Sequence, residues 1–273
     1  MRDEVTLEGM HALKHAARFG AHITKVLTDD LASALSIADQ LAPELRPLLE
    51  DQAQTISTTQ FRQLATQPIN THILANAERP NWTFTDTLPT IGHPTILLDD
   101  PRNTKNLGAV VRVGAAADAA GLMVSGPADL YNPMAVRGAA GLQWALPCWG
   151  SPTLLAELAS LAPLDQLAQL DQLTQLTQLT QPTEVAQPVQ LTQPATPFSL
   201  IGLDAEAAAF DPTQITEPVI FAFGSERSGL SQAVRSACTQ IVSLPMRPQV
   251  SSLNLATSVS AVLYLLKYAQ TAY

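Results

Sequence analysis

The sequence predicts an α/β protein in which the C-terminal part of the chain forms a parallel sheet with helices on both faces. Short apolar runs, as in Thr95–Asp99 and Val219–Phe223, lack the polar alternation of a half-exposed strand. Such runs are typical of strands that are buried on both faces. Segments with helical spacing separate these runs along the chain, and strands that alternate with helices form parallel sheets.

Residues 1–88 form a second, smaller predicted α/β unit. Its predicted elements are a helix at His11–Phe19, a strand at Ile23–Leu27, a helix-rich stretch at Leu31–Leu49 that Pro43 and Pro47 interrupt, and a strand at Thr71–Ala75. Residues 89–94 are predicted to be a linker, because prolines, a glycine and threonines accumulate in and just before this segment.

Residues 95–273 form the predicted C-terminal domain. After the strand at Thr95–Asp99, its predicted elements are a helix at Ala109–Ala120, strands at Leu122–Ser125, Val219–Phe223 and Ile241–Leu244, and a long helix at Leu253–Ala269. Residues 161–197 interrupt this domain with leucines that recur about every three residues, followed by a proline-rich tail. A three-residue period drifts around a helix and gives no steady apolar stripe, so we predict a low-complexity insert outside the core.

The charge balance argues against a broadly basic, nucleic-acid-binding surface. The chain has 273 residues and a net charge of −9, from 15 Lys and Arg against 24 Asp and Glu, whereas contacts with phosphates favour basic surfaces. Most of the basic residues after position 91 lie in or beside the segments described next. A small basic site on an acidic body is therefore compatible with local binding of one anion, although ordinary surface charge explains the same residues.

Cysteine content and hydropathy exclude several other classes of protein. Cys148 and Cys238 are isolated and lack the spacing of a zinc site or a disulfide framework, so we expect no metal site and two buried thiols in a reducing cytoplasm. No run of 18 apolar residues is present, and we expect no transmembrane helix. The first residues lack the apolar stretch of a signal peptide.

Three polar segments follow predicted strands and contain the residue types of a binding site. They are Asp99–Arg112, Phe223–Leu230 and Leu244–Val259. Ligands of open α/β sheets bind beyond the carboxyl ends of the strands, and Gly224 lets the backbone approach a ligand closely. We therefore expect these segments to contribute to a single ligand-binding edge of the sheet.

Each segment also has an ordinary structural interpretation. Asn106 is a possible helix cap, with Arg112 as a surface residue, and Glu226 is a possible acid near a helix start. Ser251 or Ser252 is expected to be the N-cap of the last helix. The second segment is neither a dinucleotide fingerprint nor a P-loop, since the GxGxxG spacing and the GK[ST] sequence are both absent.

In this order, the three segments resemble the motifs of the SpoU/TrmH family of RNA 2′-O-ribose methyltransferases, within the SPOUT superfamily. A fourth stretch, Asp129–Gly141, is similar to the family's Asn-Pro, Arg and Gly segment. The resemblance covers about residues 94–273 apart from the insert. Residues 1–88, with Leu7–Leu13, look like the family's small RNA-binding domain, which is related to a ribosomal-protein fold.

The resemblance implies a knotted parallel-sheet domain with a deep C-terminal trefoil knot, and a homodimer. It also implies S-adenosylmethionine as the cofactor and RNA as the substrate. Ribosomal RNA is favoured over transfer RNA, because the N-terminal unit resembles that of ribosomal RNA enzymes. General topology rules argue against a knot, so this expectation depends entirely on the resemblance.

The family's functional residues carry over onto matching positions of this chain. The catalytic positions implied are Asn106, Arg112, Glu226, Ser252 and Asn254. The implied cofactor contacts are Gly224, Leu244, Met246 and Leu253, and the implied RNA contacts are Arg102, Lys105 and Arg137. The family assigns Arg112 to the ribose hydroxyl or the adjoining phosphate. Because a guanidinium is a poor base, we expect Arg112 to position the phosphate and polarise the hydroxyl, and its role as proton acceptor is left open.

The chain departs from the family pattern at two loop positions. Arg227 replaces a usual glycine after the glutamate, and Pro248 replaces a usual glycine in the last loop, while Lys105 lies in a slightly lengthened first loop. Two alternatives remain open on the sequence alone. One is methylation of a base by the same fold, and the other is an RNA-binding module that has lost catalysis.

Overall fold

The computed structural model describes residues 4–160 and 198–271, and the predicted insert at 161–197 lies outside these residues. The described strands are β1 Glu4–Glu8, β2 Ile23–Thr28, β3 Ala53–Thr55, β4 Leu74–Glu78, β5 Thr95–Leu98, β6 Gly121–Ser125, β7 Cys148–Ser151, β8 Ser199–Ala209, β9 Val219–Phe223 and β10 Gln240–Ser243. The described α-helices are α1 Met10–Arg18, α2 Leu31–Leu41, α3 Arg46–Gln52, α4 Thr58–Leu64, α5 Thr104–Ala117, α6 Pro133–Gly138, α7 Leu154–Ala159, α8 Gln232–Ala237 and α9 Leu255–Thr271. Short 3₁₀ helices lie at Pro43–Leu45, Phe84–Thr87, Leu142–Trp144 and Pro212–Gln214.

The larger sheet is parallel, as the sequence predicts. Its six strands lie in the order β10-β8-β9-β5-β6-β7, and all neighbours within it run parallel. The central strands β5 and β9 are fully buried, which agrees with their apolar runs. Leu98 at the end of β5 is in register with Phe223 at the end of β9, so the polar segments that follow these two strands begin side by side.

The smaller sheet lies within the predicted N-terminal unit. Its strand order is β1-β4-β2-β3, with β4 antiparallel to both of its neighbours and β3 parallel to β2. Alternate side chains such as Leu7, Val26 and Ala75 are buried on one face with Leu13 of α1. Strand alternation places Lys25 on the opposite face, where it is exposed.

The predicted strand at Thr71–Ala75 is wrong in its bounds, because β4 begins at Leu74 and ends at Glu78. The Thr71 hydroxyl accepts a hydrogen bond from the Met10 amide at 3.0 Å. His72 has a φ of 54°, in the left-handed region, where a strand residue does not lie. These two features make residues 71–72 a turn rather than the start of a strand.

The predicted helix at Ala109–Ala120 begins too late, because α5 starts at Thr104. Asn103 caps the helix, since its Oδ1 accepts hydrogen bonds from the amides of Lys105 at 3.0 Å and Asn106 at 3.3 Å. The helix ends at Ala117, where Asp118 takes a left-handed conformation. Asn106 therefore lies inside the first turns of α5, and its predicted role as a cap belongs to Asn103.

The two sheets are joined through the α6 region. Arg137 of α6 donates to the buried Glu8 carboxylate at 3.4 Å and to the Pro68 carbonyl at 3.0 Å. The Trp82 indole donates to the Gln143 carbonyl at 2.9 Å. One hydrophobic cluster includes residues of both sheets, so the N-terminal unit packs directly on the larger one.

The segment between the sheets packs more closely than a free linker. Thr87, at the end of the 3₁₀ helix Phe84–Thr87, is fully buried, and its carbonyl accepts a hydrogen bond from the Thr95 hydroxyl at 2.5 Å. A side chain at Gly121 would lie 2.6 Å from Thr87. Residues 84–87, which the sequence assigns to the N-terminal unit, therefore contact the parallel sheet.

The cysteines are free thiols, one buried and one partly buried. Burial raises the pKa of Cys238 to about 12, and complete burial raises the pKa of Cys148 further. Both thiols are therefore protonated at neutral pH. Among residues 4–160 and 198–271, no cluster of His, Cys, Asp or Glu has the arrangement of a metal site. None of the helices described is long and apolar enough to cross a bilayer.

Candidate active site

The three polar segments converge at the carboxyl edge of the parallel sheet. The first runs from β5 into α5, the second follows β9, and the third follows β10 and leads into α9. Although β10 lies at the outer edge of the sheet, the loop after it crosses back towards the middle strands and brings Asn254 against Asn106. The sheet therefore assembles one site from segments that are far apart in sequence.

A chain of side-chain hydrogen bonds links one residue of each segment. The Asn106 amide nitrogen donates to Glu226 Oε1 at 2.5 Å. The Asn254 amide nitrogen donates to Asn106 Oδ1 at 3.1 Å. Since the Asn106 amide uses both its donor and its acceptor, its orientation is defined by these partners.

Asn254 is also the N-cap of α9. Its Oδ1 accepts hydrogen bonds from the amides of Ala256 at 3.0 Å and Thr257 at 3.4 Å. The prediction that Ser251 or Ser252 caps this helix is therefore wrong, because α9 begins at Leu255. A single side chain both starts the last helix and orients Asn106.

Glu226 lies in a tight turn between two glycines, of which Gly224 has no room for a side chain. A Cβ at Gly224 would lie 2.0 Å from the carbonyl carbon of Gly229 and 2.2 Å from the Leu230 nitrogen. Ser225 and Gly229 exchange backbone hydrogen bonds at 3.1 and 3.0 Å, and Gly229 has a φ of 64°. This closure places Glu226 at the tip of a turn between β9 and α8, and not at the helix start that the alternative interpretation expects.

The two departures from the family pattern fit the local backbone. Arg227 is exposed, and it is absent from the residues with positive φ, so an L side chain is accommodated there. Residues 247–250 form a turn in which the Val250 amide donates to the Arg247 carbonyl at 3.1 Å. Pro248 occupies the second position of this turn and Gln249, with a φ of 72°, the third, which is the pattern of a type II turn.

A cavity of about 260 Å³ lies between the second and third segments. Six of the residues that the resemblance assigns to the site line it: Gly224, Glu226, Leu244, Met246, Ser252 and Leu253. Asp204, at the carboxyl side of the buried part of β8, also lines it and forms an ion pair with Arg235. The cavity therefore combines apolar walls with two carboxylates.

Sequence reasoning missed two acidic residues of this edge. Asp204 was missed because β8 is not predicted, since its second half consists of alanines and two acidic residues and is mostly exposed. Asp99 is 5% exposed, and its carboxylate accepts from the Ser125 hydroxyl at 2.9 Å and the Ser231 amide at 2.6 Å. Asp99 thus ties the loops after β5, β6 and β9 together, and its position directly after an apolar strand was the available signal.

The arginine and lysine residues that the resemblance assigns to catalysis or RNA binding do not line the cavity. Arg112 is exposed on α5, does not line the cavity, and has no ion-pair partner among the described residues. Lys105 lies seven residues before Arg112, on the same helix face, and Arg102 pairs with Asp100. Arg137 is committed to the junction between the sheets, so its predicted contact with RNA stays a prediction.

The fold is that of solved SpoU methyltransferase structures. The chain superposes on the SpoU methyltransferase AviRb from Streptomyces viridochromogenes, a structure in complex with AdoMet, with a TM-score of 0.70 and 22% identity over 98% of this chain and 91% of that one. It also superposes on an AdoMet-bound rRNA methyltransferase from Sinorhizobium meliloti with a TM-score of 0.66 and 17% identity, over 97% and 87% of the two chains.

Sequence comparison relates part of the chain to known proteins. Residues 168–264 match the model of the SpoU rRNA Methylase family. It is 32% identical over 172 residues to a 23S rRNA (uridine(2479)-2′-O)-methyltransferase from Streptomyces viridochromogenes, which covers 62% of this chain and 50% of the relative. The matched region thus spans about half the length of that relative.

Proposed function

We propose that this protein transfers a methyl group from S-adenosylmethionine to a ribose 2′-hydroxyl of RNA, and that ribosomal RNA is its substrate rather than transfer RNA. The observation that carries the proposal is the hydrogen-bonded chain Asn254–Asn106–Glu226. It joins one residue from each of the three motifs beside the cavity. The name of the relative from Streptomyces viridochromogenes supports a ribose of ribosomal RNA as the target.

The lining of the cavity fits S-adenosylmethionine. Bound there, the cofactor would supply an electrophilic methyl group on a positively charged sulfonium. Apolar side chains of Leu244, Met246 and Leu253 provide walls for its neutral parts. The carboxylates of Glu226 and Asp204 favour its positive charges by electrostatic attraction. Gly224 keeps the turn close enough to form one wall, because any side chain there would collide with Gly229.

Methyl transfer would join the ribose oxygen to the methyl carbon as the sulfur–carbon bond breaks, and the hydroxyl proton would pass to solvent. The chain has to hold the ribose in line and to stabilise the charge that develops on its oxygen. Asn106, Asn254 and Ser252 provide amide and hydroxyl groups that orient the ribose. Arg112 positions the neighbouring phosphate and polarises the hydroxyl, and its high intrinsic pKa makes it a poor proton acceptor.

We further propose that the two units have the separate functions that the family resemblance implies. Residues 1–88 bind the RNA substrate, 89–94 link the units, and 95–273 carry the chemistry as a knotted domain that works in the cytoplasm. Support for the knot comes from the loop after the edge strand β10, which crosses back to place Asn254 against Asn106.

The proposed homodimer is supported by the outer face of α9. Most leucines and valines of α9 are buried within one chain, as Val259, Val262 and Leu263 show. Tyr264 and Leu265, however, are 46% and 44% exposed. These adjacent side chains form an apolar patch that a second copy of the chain would cover.

The proposal is tested by methyl transfer to total RNA. Purified protein is incubated with S-adenosyl-[methyl-³H]methionine and total cellular RNA, and the labelled nucleotide is identified after digestion. A 2′-O-methylnucleotide in ribosomal RNA is expected, and a methylated base would favour the first alternative. Calorimetric binding of S-adenosylmethionine without transfer to any RNA would select the inactive RNA-binding module.

A further inference from the structure

The exposed face of α1 carries four side chains that can bear positive charge. They are His11, Lys14, His15 and Arg18, here called the α1 stripe. Their spacing of three, four and seven residues places them on one side of the helix. The opposite side of α1 is buried at Met10, Ala12, Leu13 and Ala16. The stripe is therefore fixed on the surface of the N-terminal unit by the core beneath it.

The α1 stripe is held next to the proposed catalytic helix. His15 Nδ1 lies 2.8 Å from the Ala140 carbonyl oxygen, which fixes α1 against the turn after α6. A Cβ at Gly141 would lie 2.2 Å from the Ala12 carbonyl oxygen, so the two backbones are in close contact. Since α6 packs on α5, this docking brings the first turn of α1 towards Arg112.

The charges on α1 and α5 act on one another. Partial burial, Lys14 and Arg112 together lower the pKa of His11 below its usual value. Partial burial and the charges of Lys14 and Arg18 also lower the pKa of His15, against the opposing effect of the Ala140 carbonyl. Like charges that lower each other's pKa repel one another in the folded protein.

Few carboxylates offset this repulsion. Among the described residues, Glu44 is the one carboxylate within ion-pair distance of the α1 stripe, and it pairs with Arg18 at 2.5 Å. Neither His11 nor Lys14 has a carboxylate within ion-pair distance among the described residues. Because the lowered pKa values favour the neutral forms of His11 and His15, Lys14 is the unpaired cation of the stripe in the free protein. A bound anion would stabilise Lys14 and favour protonation of the two histidines.

We propose that the α1 stripe binds the phosphate backbone of RNA and leads it to Arg112 and Lys105. This rests on the proposed function and assigns the RNA-binding surface to one face of one helix. His11 to Arg18 spans about 10 Å along the helix axis, which accommodates about two to three phosphates of a single strand. Lys105 and Arg112 continue the cationic surface on α5, on one exposed face of that helix.

The experiment measures RNA binding by two charge-reversed proteins. Lys14→Glu removes the stripe's unpaired lysine, and Lys25→Glu makes the same change of charge on the opposite face of the N-terminal sheet. Fluorescence anisotropy with labelled oligouridine should show about tenfold weaker binding for Lys14→Glu and a change under about twofold for Lys25→Glu. S-Adenosylmethionine affinity, measured by calorimetry, should be the same in both.

The stripe also predicts a pH dependence. A phosphate beside His11 favours its protonated form, so RNA affinity should increase as the pH falls from about 7.5 to about 6. Partial burial and the charges of Lys14 and Arg112 oppose protonation of His11 in the free protein, so the proton is taken up on binding. The substitution His11→Gln should flatten this dependence.

If wild-type protein binds and methylates RNA but Lys14→Glu and Lys25→Glu have equal RNA affinity, the α1 stripe does not bind RNA. That result leaves the proposed function intact. Wild-type protein that neither binds oligouridine nor methylates total RNA overturns both. If Lys14→Glu does not fold, Lys14→Gln is measured in its place, and a salt dependence identical to that of wild type contradicts the stripe.

Discussion

Asn106 and Glu226 are 120 residues apart in the sequence, and the side-chain amide of Asn106 donates to the Glu226 carboxylate at 2.5 Å. The contact exists because β5 and β9 are adjacent and in register, so the loops that follow them leave the sheet together. Asn254 completes the arrangement from the other side of Asn106. The site is thus a consequence of strand order, and each of its three members depends on the others for orientation.

Arg112→Ala should lower turnover by roughly two to four powers of ten, the usual scale for a group that stabilises charge in a transition state. Because Arg112 is exposed and has no ion-pair partner among the described residues, the melting temperature should hardly change. Arg112→Lys should restore little activity, since an ammonium does not reproduce the planar fork. Single-turnover methylation measures the rate, with Arg62→Ala of α4 as the control. Near-wild-type turnover in Arg112→Ala would show that the assigned role is wrong.

Gly224→Ala should weaken S-adenosylmethionine binding by more than about tenfold, because the added Cβ would lie 2.0 Å from the Gly229 backbone and force the turn open. Gly229→Ala is the matched control at the other end of this turn. It has a φ of 64° but open space around the added carbon, so it should cost only about 1 kcal/mol of backbone strain. Isothermal titration calorimetry compares the two proteins, and equal affinities would argue against the wall assigned to Gly224.

Asn106→Asp should make stability depend on pH. The new carboxylate would face Glu226 across the distance of the present hydrogen bond, and two such carboxylates raise the pKa of one of them above its unfolded value. The destabilisation is therefore absent at low pH, where a proton is shared, and grows as the pH rises through that raised pKa. Because Asn106 is partly exposed and Glu226 exposed, the effect should be about 1 kcal/mol or less.

Urea unfolding of Asn106→Asp at about pH 3.5 and about pH 7 measures this difference, because an effect of about 1 kcal/mol or less places the raised pKa less than about one unit above the unfolded value. Asn106→Ala is the control, since it loses the hydrogen bond without adding charge. A free energy of unfolding that shifts with pH equally in both variants would mean that residues 106 and 226 are not in contact in solution.

The exposed face of α9 should mediate dimer formation. Light scattering at micromolar concentration should report about twice the chain mass of 29.1 kDa. Leu265→Asp should yield a folded monomer, because Leu265 is 44% exposed in one chain and a charge in a buried interface is costly. A monomeric wild-type protein, or a dimer unaffected by Leu265→Asp, would contradict this interface.

Sequence alone determined the parallel sheet, and it did so because strands buried on both faces must be apolar throughout, as in β5 and β9. It also placed the three polar segments after strands. The positions that the family resemblance assigns to the cofactor, Gly224, Leu244, Met246 and Leu253, all line one cavity. Strands and turns can be predicted from such local patterns because burial and turn geometry constrain neighbouring residues directly.

Only the tertiary structure decided which side chains meet. The cap of α9 is Asn254 rather than a serine, since its amide also has to reach Asn106, 148 residues away. Asp204 joins the cavity from β8, whose alanine-rich second half lacks the β-branched and aromatic residues typical of a strand. His11 acts on Arg112 from the other sheet through the docking of α1 on the turn after α6. These contacts arise from strand order and packing between units, for which local periodicity carries no information.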